Sequence, residues 1–85
     1  MKPEIRKIIL VTIREQDGDA YGVSIAEAIE KQTGKRVSVG NVYLLLDKME
    51  EENLIVSEIR KGGAERSFRV KKCYWLTGHG LAMTN

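Results

Sequence analysis

The 85-residue chain holds one cysteine, Cys73, and one histidine, His79. Brought together, the two could form a thiolate nucleophile, with the imidazole taking the thiol proton. A working pair also needs a third group to orient the histidine, and the Gly78-His79-Gly80 stretch offers none. The expectation is a part-buried strand cysteine, an exposed histidine and no catalytic role. One Cys and one His fall short of the four ligands of a structural zinc site, so neither a metal nor a cofactor is expected. Gly62-Gly63 lacks the following Lys-Ser/Thr of a phosphate loop and lies between strand patterns rather than before a helix. Glu50, Glu51 and Glu52 are adjacent, so they radiate around a helix end instead of converging on a substrate.

Binding chemistry is better supplied. Net charge is only +2, but its distribution is uneven. Residues 1–53 carry eight Lys and Arg against ten Asp and Glu. Residues 54–85 carry Arg60, Lys61, Arg66, Arg69, Lys71 and Lys72 against Glu58 and Glu65. A cationic segment of this kind suits a polyanion. The competing reading is a solvated hairpin whose charges discourage edge-to-edge pairing. Apolar residues at 42% and charged residues at 31% fit a globular protein and argue against disorder. Apolar runs such as Ile8-Ile9-Leu10-Val11 are far shorter than the ~18 residues of a membrane span, so no membrane partner is expected. The N-terminus lacks the pattern of a signal peptide, which makes a cytoplasmic location the simplest expectation.

The elements that must position these groups follow from periodicity. Residues 2–16 predict a helix, with Pro3 and Glu4 suited to its first turn. Ile5, Ile8, Ile9, Thr12 and Ile13 share one face, and Leu10 and Val11 broaden it. A short helix apolar on more than one side should bury more than one side, which points to a partner. Asp17-Gly18-Asp19 predicts a turn. A second helix runs from Gly22 or Val23 to Thr33, with Val23, Ile25, Ala26 and Ile29 inward and Gly34 as its stop. After a short link, Ser38 is the N-cap of a third helix over residues 39–52. There Val42, Leu45, Leu46 and Met49 face the core, and Asn41, Tyr43, Leu44, Asp47 and Lys48 face out. Asn53 suits the left-handed conformation that ends a helix. The period then changes to that of two strands, residues 54–60 and 67–76, joined by a Gly-Gly loop. Thr77 caps a last short helix.

The order predicts an α+β winged helix-turn-helix over residues 1–85: three helices, a two-stranded wing and a short C-terminal helix. A helix fits the major groove, where base edges present distinct donors and acceptors, and a charged hairpin beside it can neutralise phosphates. The expected partner is double-stranded DNA, and the expected contacts are Ser38, Asn41, Tyr43, Lys48, Lys61, Arg66 and Arg69. Asn41 could read adenine with a bidentate amide, or satisfy free backbone groups of the first turn. Tyr43 could reach a phosphate or a base, or pack beside the second helix. Ser38 could both cap the helix and touch phosphate. Trp75 reads as core or dimer packing. A homodimer is expected through Ile5, Ile8, Leu10 and, from the C-terminal segment, Leu81. A winged helix that binds only protein is the alternative.

Four motifs, in order, resemble the PadR-like family of transcription regulators. Tyr21-Gly22-Val23-Ser24-Ile25-Ala26 resembles that family's tyrosine-glycine opening of helix two. Ser38-Val39-Gly40-Asn41-Val42-Tyr43 is similar to its recognition-helix start, usually Ser-Pro-Gly-Thr-Leu-Tyr. Leu46-Asp47-Lys48-Met49-Glu50-Glu51-Glu52-Asn53-Leu54-Ile55 resembles its passage into the wing, and Tyr74-Trp75-Leu76-Thr77-Gly78-His79-Gly80 its exit. The resemblance implies a DNA-binding winged helix that acts as a homodimer, often as a repressor answering to a small-molecule effector. Leu44 stands where the family usually has Arg, and Asp47 adds negative charge to the same face. Both weaken phosphate contact by this helix, which a longer and more basic wing could offset. The chain stops at Asn85, a few residues into the last helix, whereas family members commonly dimerise through a longer one.

Overall fold

The structure is a computed structural model that describes residues 3–61 and 70–84. Helix α1 (Pro3–Gln16) leads through a turn into strand β1 (Ala20–Tyr21) and helix α2 (Gly22–Thr33). Helix α3 (Val39–Glu51) follows, then strands β2 (Ile55–Lys61) and β3 (Val70–Leu76) and helix α4 (Gly78–Ala82). The three strands form an antiparallel sheet in the order β1-β3-β2. This is an α+β winged helix-turn-helix.

Local chemistry fixes the helix ends. The Tyr21 backbone N–H donates to Ser24 Oγ at 3.0 Å, and that hydroxyl donates to Gln16 Oε1 at 2.7 Å, so the start of α2 is tied to the end of α1. Gly34, at φ +76°, closes α2 by donating to the Glu30 carbonyl. Ser38 Oγ accepts the Asn41 N–H at 3.1 Å, satisfying one of the free donors that begin α3. Asn53 takes φ +63° after α3, and the Leu54 N–H returns to the Met49 carbonyl at 3.0 Å. Thr77 Oγ1 accepts the Gly80 N–H at 2.9 Å and donates to the Asn53 carbonyl at 2.6 Å. The last helix is thereby fastened to the α3–β2 corner.

Ile9 and Ile13 of α1, Ile25 and Ile29 of α2, Val42, Leu46 and Met49 of α3, and Ile55 and Tyr74 of the sheet are fully buried in one cluster. Three expectations change. Leu10 is only 4% exposed and belongs to this core rather than to an open surface. Most of the broad apolar face of α1 is instead covered from within, because α1 touches α2, the sheet and α4, and Ile5 and Ile8 are left half-buried. Val23 is exposed, since Gly22, Ile25, Ala26 and Ile29 form the inward face of α2. Leu45 is only half-buried at the edge of the cluster.

The sequence also gave no sign of β1. Its two residues pair with β3 as Ala20 opposite Tyr74 and Tyr21 opposite Cys73. The turn before it brings Gly18, at φ +94°, against the Trp75 ring; a Cβ there would stand 3.3 Å from the indole nitrogen. Trp75 therefore packs within the chain, half-buried under that turn.

Candidate nucleic-acid interface

Helix α3 lies across α2 with its Val42, Leu46 and Met49 side chains inward. Its opposite face is exposed at Asn41, Leu44, Asp47 and Lys48. Asn41, Leu44 and Lys48 follow the three- and four-residue spacing that stacks side chains along one stripe. Ser38 engages the Asn41 backbone, which leaves the Asn41 side-chain amide on the open surface.

Tyr43 departs from its expected outward position. Its ring is half-buried and packs on the N-terminus of α2, where a Cβ at Gly22 would come within 2.4 Å of Cζ and 2.6 Å of the hydroxyl oxygen. The bare backbone at Gly22 is what admits the ring. A clue lay in the sequence: a glycine opening one helix and a tyrosine in the next suit a close helix–helix approach.

The acidic end of α3 is largely partnered. Glu50 accepts from Ser57 Oγ at 2.9 Å. Glu52 pairs with Arg6, whose hydrogen bond holds the carboxyl below its usual range. Asp47 lies 4.0 Å from Lys72 Nζ, so β3 supplies a counter-charge to the exposed helix face. An exposed pair of this kind contributes little stability, about 0–1 kcal/mol, but it cancels repulsion where a polyanion would approach. Beneath these carboxylates, burial above all, and then Tyr43, Asp47 and Glu50, push the Tyr74 phenol above its ordinary value.

The basic cluster divides by strand alternation. Arg60 stands opposite Lys71 in the β2–β3 ladder, and Ile59 opposite Lys72. Arg60 donates to the Gly18 carbonyl at 3.1 Å, and Lys71 Nζ lies 4.5 Å from the centre of the Tyr21 ring. Both cations reach towards β1 on one face of the sheet. Lys72 reaches α3 on the other. Three cations of the wing stem thus meet groups of the body, two on one face and one on the other, a placement that charge counting alone does not suggest. The Lys61 side chain, Arg66 and Arg69 lie outside the described residues.

Elsewhere, Ile5 and Ile8 are half-buried and line a shallow groove with Val37, Lys35 and Arg36. Leu81 and Met83, at and just beyond α4, are about half exposed, at 50% and 53%. Arg14 donates to Thr84 Oγ1 at 2.9 Å, which joins α1 to the end of the chain. Cys73 is buried in the sheet, and His79 is exposed on α4. No helix among the described residues is long and apolar enough to cross a membrane.

Comparison with solved structures places this fold in a clear group. A PadR-like transcriptional regulator from Bacillus cereus is similar at 29% identity and a TM-score of 0.72, over 93% of this chain and 72% of that one. A PadR family transcription regulator from Clostridium difficile is similar at 28% identity and a TM-score of 0.74, over 94% of this chain and 78% of that one. Bacillus subtilis PadR in complex with operator DNA shares the fold at 23% identity and a TM-score of 0.75; the match spans 95% of this chain and 44% of that one. No curated protein matches the chain. The sequence profile of the PadR-like transcriptional regulators matches residues 9–84, nearly the whole length, and the chain belongs to that family.

Proposed function

We propose that this protein is a sequence-specific, DNA-binding transcription regulator that acts as a homodimeric repressor in the cytoplasm. The observation that carries this reading is the α3 surface: a Ser38-capped helix with Asn41, Leu44 and Lys48 exposed in one stripe, beside a basic hairpin. Family membership and a fold shared with an operator-bound protein support it. Asn41 supplies the base contact, and Ser38 and Lys48 touch the backbone. Tyr43 acts chiefly by fixing the angle of α3 on α2, with its hydroxyl at the rim of the interface. Response to a small-molecule effector belongs to the same reading, with no site assigned to it.

Because Arg60, Lys71 and Lys72 are engaged within the chain, phosphate neutralisation falls to Lys61, Arg66 and Arg69. Each phosphate contact contributes a slope of about −0.9 to log K against log salt. Replacing Lys61 and Arg66 together by Ala is expected to weaken binding to all duplexes about equally and to flatten that slope by about 2 units. Salt-titrated fluorescence anisotropy on duplex DNA measures it. An unchanged slope would favour the second reading, a winged helix that binds protein through the exposed Leu44 and its carboxylate neighbours.

The dimer is assigned to Ile5 and Ile8 at the start of α1 and Leu81 on α4. These are among the apolar side chains that the monomer leaves partly open near the start of α1 and at α4. Burying them across a two-fold axis removes apolar area from water at ~25 cal/mol per Å². Sedimentation equilibrium at micromolar concentration is expected to give a dimer, and Ile5→Asp/Ile8→Asp a folded monomer. A wild-type monomer under those conditions removes the assignment.

A further inference from the structure

We infer that Leu44 is a specificity-determining residue that reads the 5-methyl group of a thymine in the major groove. The inference rests on the DNA-binding reading and names what one part of that surface recognises. Leu44 is 69% exposed in the middle of α3. Among the described residues it lies outside the core stripe of this helix, which is Val42, Leu46 and Met49. A large aliphatic side chain standing in water gains nothing until something apolar covers it. Its neighbours on the same stripe are both polar: Asn41 one turn before and Lys48 one turn after. That pattern does not fit an apolar docking face, which would continue along the helix at the same spacing. It fits a surface that is polar apart from one apolar point.

The major-groove floor has that character. Guanine, cytosine and adenine present only donors and acceptors there, and thymine adds a methyl group. Leucine placed over any other base edge would strip water from polar atoms without replacing their hydrogen bonds. Thymine is therefore the base that Leu44 favours. The geometry also limits where that thymine lies. Side chains three residues apart on a helix are about 5–6 Å apart, and base pairs rise about 3.4 Å. The thymine should fall within one or two base pairs of the adenine that Asn41 contacts. The Lys72 ammonium opposite Asp47 keeps this stretch of α3 from repelling the duplex.

The test removes the methyl group and nothing else. A duplex enriched by this protein from a random-sequence pool is resynthesised with each thymine replaced in turn by deoxyuridine. Wild-type affinity is expected to fall about fourfold at one or two positions, the equivalent of one buried methyl, and to stay constant elsewhere. Leu44→Ala, a change at an exposed helical site, should fold normally and bind thymine and deoxyuridine duplexes equally at those positions. A flat deoxyuridine scan with wild type, or steps that persist in Leu44→Ala, would overturn the inference and leave DNA binding intact. Failure to enrich any duplex from the pool would instead overturn the DNA-binding reading and the inference with it.

Discussion

Gly80→Ala is expected to destabilise the fold by about 3 kcal/mol, a large effect for the addition of one methyl group. The added Cβ would stand 1.9 Å from the Leu54 carbonyl oxygen and 2.9 Å from its carbon. Both are backbone atoms, so no rotamer change can relieve the overlap. Nor can the Leu54 peptide swing aside. Its carbonyl accepts the Thr77 N–H at 3.1 Å, and its N–H donates to the Met49 carbonyl at 3.0 Å. The remaining response is for α4 to lift from the α3–β2 corner, which would break the Thr77 cap and expose the buried Leu54. A chain of this length has a total stability of roughly 4–13 kcal/mol, so this loss is a substantial fraction. Urea unfolding should show a lower midpoint with an unchanged m-value. Gly40→Ala is the matching control, because nothing lies within 4 Å of a Cβ there. It should keep or slightly raise the midpoint, since alanine is the better helix former. Equal midpoints for Gly80→Ala and wild type would mean that α4 is not held where the structure puts it.

Gly80 also shows what sequence reading can and cannot reach. The helix boundaries were legible because their signals are local. Ser38, Gly34 and Asn53 each act on backbone groups within a few residues, and α2 and α3 end within a residue or two of the expected positions. The core stripes of α2 and α3 were legible for the same reason, apart from Val23 at the first turn of α2 and Leu45 at the edge of the core. In the sequence, Gly80 merely weakens a short helix. Its necessity comes from a carbonyl 26 positions earlier, which no periodicity encodes. Strand β1 was invisible on the same grounds, since two residues become a strand only through their pairing with β3. On α1 the pattern gave the breadth of the apolar face but not what covers it, so Leu10 read as a partner contact and proved to be core. On the candidate interface, the exposure of Asn41, Leu44 and Lys48 followed from helical phase, but the inward turn of Tyr43 depended on Gly22 of another helix. The division of Arg60, Lys71 and Lys72 between two faces of the wing was partly legible. Alternation separates Lys71 from Lys72, but only the strand order shows which body element each face meets.

The consecutive leucines of α3 provide the second large effect, and they test the orientation of the whole helix at once. Leu46 is 0% exposed at the centre of the core cluster, Leu45 is half-buried at its edge, and Leu44 is 69% exposed. Successive residues on a helix turn by about 100°, so three neighbours sample the buried face, the boundary and the surface. Leu46→Ala removes buried methyl and methylene groups and leaves a cavity that the packed elements around it can only partly close. The expected cost is about 2–5 kcal/mol. Leu45→Ala gives up less apolar area and opens no closed cavity, so about 1–2 kcal/mol is expected. Leu44→Ala should be within about 0.5 kcal/mol of wild type, since the side chain is mostly exposed and alanine has slightly the higher helix propensity. The three variants share one chemical change in one helix, so differences in the unfolded state largely cancel, and the series reads burial directly. Denaturant midpoints at a common m-value give the order. DNA affinity should follow the opposite order once corrected for the folded fraction. Leu44→Ala alters the proposed interface, whereas Leu46→Ala acts only through the population of folded protein. If Leu44→Ala proves as destabilising as Leu46→Ala, the helix is rotated from the phase described here, and the stripe of Asn41, Leu44 and Lys48 is not the surface offered to DNA.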